Sequence, residues 1–223
     1  MHLSEMTGGR IRGTFFLGLL AVAFALAIPQ ARAASPAENF VSVNVQKGLA
    51  LLYNHGLTQA DKQAQFRDFL TSLTDMRRIA LFTLGPARRT ASPTDINEFV
   101  DAFHEFAVAV YESRLSLYSG QTLRVMNSTA RAPGDYIVST RIIDPNAQNA
   151  QQPLQVDFRV EDENGKFVVI DVSVLGIWLA IEERDQFTAF LDQNSDSVPA
   201  LASHLRQLTQ QMHNGGAPSS QPD

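Results

Sequence analysis

The sequence predicts an α+β fold in which helices pack on one face of an antiparallel sheet. Apolar residues recur at helical intervals as far as Gly120, alternate with polar residues to about residue 179, and then return to helical spacing. Helices followed by strands and again by helices are typical of the α+β class. With 223 residues, 44% apolar and 18% charged, the chain can form one domain with a substantial core, and this composition excludes a disordered protein.

Residues 1–33 have the organisation of a removable export signal. Arg10 and Arg12 precede an uncharged run over residues 14–28, and the triplet Ala31-Arg-Ala33 provides a cleavage site. The run is shorter than a comfortable bilayer span. We therefore expect a signal peptide over 1–33, a single domain over 34–213 that folds outside the cytoplasm, and a disordered tail over 214–223.

Four helices are predicted before Gly120, and each begins at a recognisable cap. Ser35-Pro-Ala-Glu38 has the spacing of a capping box and starts a helix that extends to about residue 54. Thr58 and Asp75 can cap the second and third helices, the third ending near Gly85. Ser92-Pro-Thr-Asp95 starts the longest helix, whose apolar stripe continues as far as Gly120.

Four strands are predicted after Gly120, over about 122–129, 136–144, 154–161 and 167–179. Asn164-Gly165 is a strong signal for a hairpin turn. The connections are too short for crossover helices, so the sheet should be an antiparallel meander. In the third strand apolar residues alternate with polar ones, which predicts one buried face and one wet face. Two C-terminal helices, about 182–191 and 198–212, complete the fold.

Composition excludes several classes of function. The chain has no cysteine, which excludes disulfides and thiolate metal sites. Its formal net charge is −5, and removal of the leader would take away three arginines and one glutamate, leaving the mature chain more acidic. An acidic chain lacks the basic surplus on which ordinary nucleic-acid binding depends. It also lacks the clustered cations needed to adsorb strongly to anionic lipid.

The candidates for catalytic chemistry are few. Asp157 and Asp171 fall on neighbouring predicted strands and form a possible carboxylate pair, although ordinary wet-face residues paired with arginines are the better interpretation. His104 and Glu105 are adjacent on a helix and do not face each other. Arg88-Arg89 can contact a phosphate or an acidic partner, or lie as two exposed cations in a loop. No metal or cofactor motif is present, so no cofactor is expected.

Several segments, in order, resemble the MlaC family, also called toluene-tolerance proteins. They include Asp75-Met-Arg-Arg78, Phe99-Val-Asp-Ala-Phe103, Tyr118-Ser-Gly-Gln121, Asp157-Phe-Arg159, Phe167-Val-Val-Ile-Asp-Val172 and Arg184-Asp-Gln-Phe187. The chain departs from the family pattern at two places. Leu175-Gly-Ile-Trp178 stands where the family commonly has Glu-Gly-Val-Ser, near its lipid pocket, and Gly85-Pro-Ala-Arg-Arg89 replaces Gly-x-x-(Trp/Tyr)-(Arg/Lys).

The resemblance implies a periplasmic carrier rather than an enzyme. It implies a phospholipid ligand held in a cavity between the sheet and the helices, and transport that maintains outer-membrane lipid asymmetry. The implied partners are the lipid-binding subunit of an inner-membrane ABC transporter and an outer-membrane lipoprotein–porin complex, and we expect a monomer. The residues that we expect to line the cavity are Phe103, Phe106, Val110, Tyr111, Tyr118, Phe158, Val160, Ile170, Val172, Val174, Ile177 and Trp178.

Three other interpretations stay open at the level of sequence. The cargo can be another lipid, such as a hopanoid, because the segment at 175–178 differs from the family pattern. The same scaffold can hold a small enzyme that uses Asp157 or Asp171 as a base. A structural adaptor with a filled core is the third, since an apolar composition alone is equally compatible with dense packing.

Overall fold

The structure, a computed structural model, describes residues 33–115, 120–144 and 154–215, apart from the side chains of residues 59, 114 and 115. Residues 1–32 of the predicted signal peptide, residue 118 and most of the predicted tail lie outside these ranges. Within these ranges, six α-helices and five strands follow one another in the order predicted for an α+β fold. They are α1 (Pro36–Leu52), α2 (Gln59–Leu73), α3 (Met76–Thr83), α4 (Pro93–Leu115), β1 (Thr122–Ala132), β2 (Asp135–Ile143), β3 (Gln155–Glu163), β4 (Lys166–Val174), β5 (Ile177–Trp178), α5 (Leu179–Gln193) and α6 (Val198–His213).

The helix starts are those that the caps predict. Ser35 and Glu38 form a complete capping box, and Thr58 and Asp75 each accept a hydrogen bond from the backbone three residues further on. The Oγ of Ser92 likewise accepts from the N–H of Asp95 at 3.1 Å. After α3, a short 3-10 helix over Gly85–Arg89, which the sequence pattern did not predict, leads into α4.

The sheet is an antiparallel meander in the order β1-β2-β3-β4-β5. The hairpin predicted at Asn164-Gly165 joins β3 to β4, with φ of 57° and 90° at these two residues. The prediction of four strands was wrong. Leu175 and Gly176 both have positive φ and turn the chain, so that the predicted last strand divides into β4 and the two-residue β5.

A bulge in β4 changes which residues share a face. Phe158 pairs with Val172, but Val160 pairs with Val169, so Ile170 is an extra residue without a partner on β3. The predicted alternation through residues 168, 170 and 172 therefore breaks at the bulge. The predicted wet face of β3 is also only partly wet, because Asp157 is buried.

Two hydrophobic cores hold together the elements that the structure describes. The helical core packs α3, α4, α5 and α6 against one another, and its fully buried members include Leu84, Phe99 and Leu201. The sheet core lies between α1 and strands β2, β3 and β4, with Val138 and Val160 fully buried. Polar side chains also join the strands, because Arg159 of β3 donates two hydrogen bonds to the carboxylate of Asp135 of β2, at 3.1 and 3.0 Å.

Candidate functional site

The sheet core presents an apolar surface to α1. Val138 and Val160 lie beneath Ala37 and Val41 of α1, and Phe158 and Val172 are half-buried at the margin of this cluster. Aromatic contacts extend the surface, because the ring of Phe167 lies 5.7 Å from that of Phe40 and 6.2 Å from that of Tyr136. Three of the predicted cavity residues, Phe158, Val160 and Val172, therefore belong to this cluster.

Polar bonds fix the N-terminus of α1 over strand β1. The hydroxyl of Ser128 donates to Oε1 of Glu38 at 2.7 Å and lies 2.9 Å from the hydroxyl of Ser35. Glu38 is only 8% exposed, so this carboxylate is satisfied by hydrogen bonds rather than by water. Because the same residues form the capping box, the helix end and the sheet are positioned by one network.

The helical core contains two further predicted residues, Phe103 and Phe106 of α4. Both rings meet the edge or face of Phe187 from α5, with centroid distances of 6.2 and 6.5 Å, and Phe99 contacts the same ring at 6.0 Å. Val110, one helical turn further along α4, packs half-buried against this cluster. These side chains form a well-filled helical interior.

Helix α2 lies beside elements of both cores, but its own side chains are poorly covered. It contacts α1, α4 and β4, yet none of its described side chains is buried. Phe66 and Phe69 lie with ring centroids 6.1 Å apart and are half-buried. The ring of Phe69 passes so close to α1 that a Cβ at Gly48 would lie 3.2 Å from it. Phe66 and Phe69 therefore leave part of their apolar surface uncovered.

The β4–β5 turn exposes another part of the predicted site. Ile177 is 58% exposed and Leu175 beside it is 70% exposed, whereas Val174 and Trp178 are half-buried. Tyr111 near the end of α4 and Ile170 at the bulge are also half-buried. Tyr118 lies outside the described residues. The structure thus distributes the predicted residues over the two cores and this turn rather than gathering them in one wall.

The two aspartates considered as bases have structural bonds. Both oxygens of Asp157 accept from the side-chain amide of Gln155, at 3.1 and 3.0 Å. Asp171 accepts from the backbone N–H groups of Val172 and Ala180, and burial raises the pKa of Asp171 against the opposing effect of these bonds. In the described ranges, no group of three His, Cys, Asp or Glu is placed to hold a metal ion.

Within the described part of the chain, two buried side-chain oxygens have no hydrogen-bond partner. One is the hydroxyl of Ser173. In the sheet register, Ser173 lies opposite Asp157 of β3 on one side and Trp178 of β5 on the other. The other is Oε2 of Glu183 in α5, and burial, followed by the charge of Glu182, raises the pKa of Glu183 to about 7. Burial without a partner disfavours the charged carboxylate, which is why the pKa of Glu183 rises.

A comparison with known protein families identifies the family to which this chain belongs. The family model described as "MlaC protein" matches residues 43–207, well over half of the chain. The chain belongs to the MlaC family. The matched range runs from within α1 to within α6, so it includes the whole sheet and the turn at Leu175.

A solved structure shares the fold of this MlaC-family chain. It is the phospholipid-binding protein from Ralstonia solanacearum, solved in complex with a phospholipid. It has 22% sequence identity and a TM-score of 0.68, and the match covers 81% of this chain and 99% of that one. Among the described residues, no helix is long and apolar enough to cross a membrane.

Two groups of residues near these surfaces were not assigned a role from the sequence. Sequence reasoning did not assign Phe66 and Phe69 of α2 to the site, although their spacing of three residues gave the signal of a shared helix face. It noted Arg88-Arg89 but not that Arg77 and Arg184 would lie beside the same surface hollows. The density of arginines between residues 77 and 89 was visible in the sequence, whereas the approach of Arg184 depends on the packing of α5.

Proposed function

We propose that this MlaC-family protein is a carrier that holds one diacyl phospholipid between its sheet and its helices. The observation that carries the proposal is the partial cover of α2, which contacts elements of both hydrophobic cores and buries none of its described side chains. Acyl chains entering beside α2 would contact Phe66 and Phe69 and the margin of each core. The phospholipid held by the Ralstonia relative of the same fold supports this choice of ligand.

The need for a carrier follows from the cost of exposing acyl chains to water. Each methylene moved from an apolar environment into water costs about 0.8 kcal/mol, so two tails with about 30 methylenes cost on the order of 20 kcal/mol. A protein that covers the tails removes most of this barrier to transfer. The head group can stay near solvent and needs no dedicated charged pocket.

We propose that the carrier works in the periplasm as part of an ABC transport system that maintains outer-membrane lipid asymmetry. Its partners would be the lipid-binding subunit of the inner-membrane transporter and an outer-membrane lipoprotein–porin complex. Family membership and the export signal expected over residues 1–33 support this assignment. The role is that of a binding protein, and it assigns no catalytic step to Asp157 or Asp171, whose oxygens already accept hydrogen bonds.

Native mass spectrometry tests the proposal directly. The protein would be exported with its own leader, purified without detergent, and measured before and after extraction with organic solvent. We expect an adduct with the mass of a diacyl phospholipid that disappears on extraction and returns when vesicles are added. An adduct with the mass of a hopanoid would replace the proposed cargo, and a bare protein that takes up no lipid from vesicles would overturn the carrier assignment.

A further inference from the structure

An arginine-lined groove lies on the surface formed by α3, the 3-10 helix and α5. Its main part has a volume of about 290 Å³ and is lined by Asp75, Arg77, Arg78, Leu81 and Arg88. A smaller hollow of about 80 Å³ adjoins it at Arg88 and is lined also by Phe82, Arg89 and Arg184. We call these two connected hollows the arginine groove.

Several contacts hold the arginines in place. The guanidinium of Arg184 lies 5.4 Å from the ring centroid of Phe82, a cation–π distance. Gly85 has a φ of +60°, and a Cβ there would lie 3.4 Å from Nε of Arg184, so a glycine allows this close approach. On the opposite side, Arg77 donates to the side-chain oxygen of Asn97 at 3.1 Å.

The positive charge of the groove is largely uncompensated. Arg78 is neutralised by Glu161 and Glu163, at 2.7 and 3.2 Å. In the ranges 33–115, 120–144 and 154–215, neither Arg77, Arg88, Arg89 nor Arg184 forms an ion pair. The carboxylate of Asp75 lines the groove, but one of its oxygens caps α3 by accepting from the N–H of Arg78. Four arginines that form no ion pair with any described residue are therefore concentrated here, on a chain that is acidic as a whole.

We propose that the arginine groove docks an acidic segment of a partner protein. Guanidinium groups bind carboxylates through two parallel hydrogen bonds, and an extended chain can present several carboxylates to arginines spread over two hollows. Leu81 and the 39% exposed ring of Phe82 provide apolar surface between the charges for a neighbouring apolar side chain. The groove is open and its arginines are mostly exposed, which favours a multivalent segment over a single enclosed anion.

This inference is independent of the proposed cargo, since it concerns a surface on α3 and α5 rather than the side chains of α2. It gives the protein a docking site that is selective for partner charge. Attraction between the groove and an acidic segment would accelerate association and weaken as salt rises. The same four arginines would fix the orientation of the bound partner.

The test uses the mature chain and a labelled peptide of alternating Glu and Leu, with a Gln-for-Glu peptide as its control. Binding is followed by fluorescence anisotropy at low and physiological salt. We expect Arg88→Gln with Arg89→Gln to raise the Kd at least about tenfold. The control double variant, Arg124→Gln with Arg141→Gln, has the same charge change on exposed strand positions and should alter the Kd by less than about twofold.

Other outcomes would overturn the proposal. Equal weakening in both double variants, or equal binding of the Gln peptide, would show that the groove does not recognise the acidic chain. Displacement of the peptide by millimolar inorganic phosphate would indicate a small-anion site. Arginine-dependent binding to phosphatidylglycerol vesicles without peptide binding would indicate a lipid surface. The groove variants should keep the same lipid adduct in native mass spectrometry, which separates this test from that of the cargo.

Discussion

Asp171 of strand β4 caps the N-terminus of helix α5 by accepting a hydrogen bond from the backbone N–H of Ala180 at 3.0 Å. The residue at the N-cap position itself, Trp178, has no side-chain bond to the helix. A carboxylate nine residues away in sequence therefore satisfies an N–H that a local cap usually satisfies. The bond fixes where α5 leaves the sheet and ties the β4–β5 turn between them.

Loss of this remote cap should destabilise the fold. We expect Asp171→Ala to lower the free energy of unfolding by about 1 kcal/mol, since an N-terminal N–H loses its acceptor. Asp171→Asn keeps an acceptor oxygen, so it should lower the free energy of unfolding by less than half as much. Urea denaturation followed by circular dichroism measures both variants, with Asp101→Ala on the exposed side of α4 as the control. A loss as large in Asp101→Ala as in Asp171→Ala would contradict the capping role.

The raised pKa of Glu183, about 7, predicts a pH-dependent stability. The folded state holds this proton more tightly than the unfolded state, whose glutamate has a pKa near 4.5. Stability contributed by the protonated form is therefore complete below about pH 4.5 and is lost as the pH rises to about 7.

Glu183→Gln should remove this dependence and stabilise the protein above pH 7 by on the order of 1–3 kcal/mol. The matched variant Glu182→Gln removes only the neighbouring charge, so it should reduce the slope between these pH values without abolishing it. Thermal unfolding across pH 4–8 measures the pH dependence of stability for the wild type and both variants. A wild-type slope retained in Glu183→Gln would show that another group is responsible.

The turn between β4 and β5 places a leucine in an unfavourable conformation. Leu175 has a φ of 53° and is 70% exposed, so its side chain gains little from packing while its backbone is in the left-handed region. We expect Leu175→Asn to raise the free energy of unfolding by about 0.5–1 kcal/mol, because asparagine is favoured in turns of this kind. Gly176→Ala should lower the free energy of unfolding, because Gly176 has a φ of 85° and alanine is strained there. Thermal melts of the two variants check both directions, and stabilisation by both would exclude this explanation.

Local signals account for the parts of the fold that sequence predicts well. Ser35, Thr58 and Asp75 each cap a helix with an oxygen three residues from its donor, so the signal lies within one turn of chain. Asn164-Gly165 likewise adopts positive φ without help from other elements. Helix starts and the β3–β4 hairpin are therefore readable from short windows of sequence.

Features that depend on pairing between distant residues were not predictable in this way. The bulge at Ile170 arises from the register between β3 and β4, and the start of α5 depends on the distant carboxylate of Asp171. The candidate site likewise depends on contacts between elements that are distant in sequence. Alternation predicts that Val160 and Val172 face the core, but not that α2 would contact elements of both cores while none of its described side chains is buried.

Charged substitutions at the margins of the two cores should empty the proposed lipid site. Val110 and Val172 are half-buried against the helical core and the sheet core respectively, so a glutamate at either position would meet the acyl chains with an uncompensated charge. We expect Val110→Glu and Val172→Glu to lower phospholipid occupancy at least about tenfold. Val43→Glu on the exposed side of α1, where the side chain is 51% exposed, should leave it unchanged. Native mass spectrometry measures the lipid occupancy, and circular dichroism shows whether each variant is folded. A folded Val110→Glu protein with wild-type occupancy would place the acyl chains elsewhere.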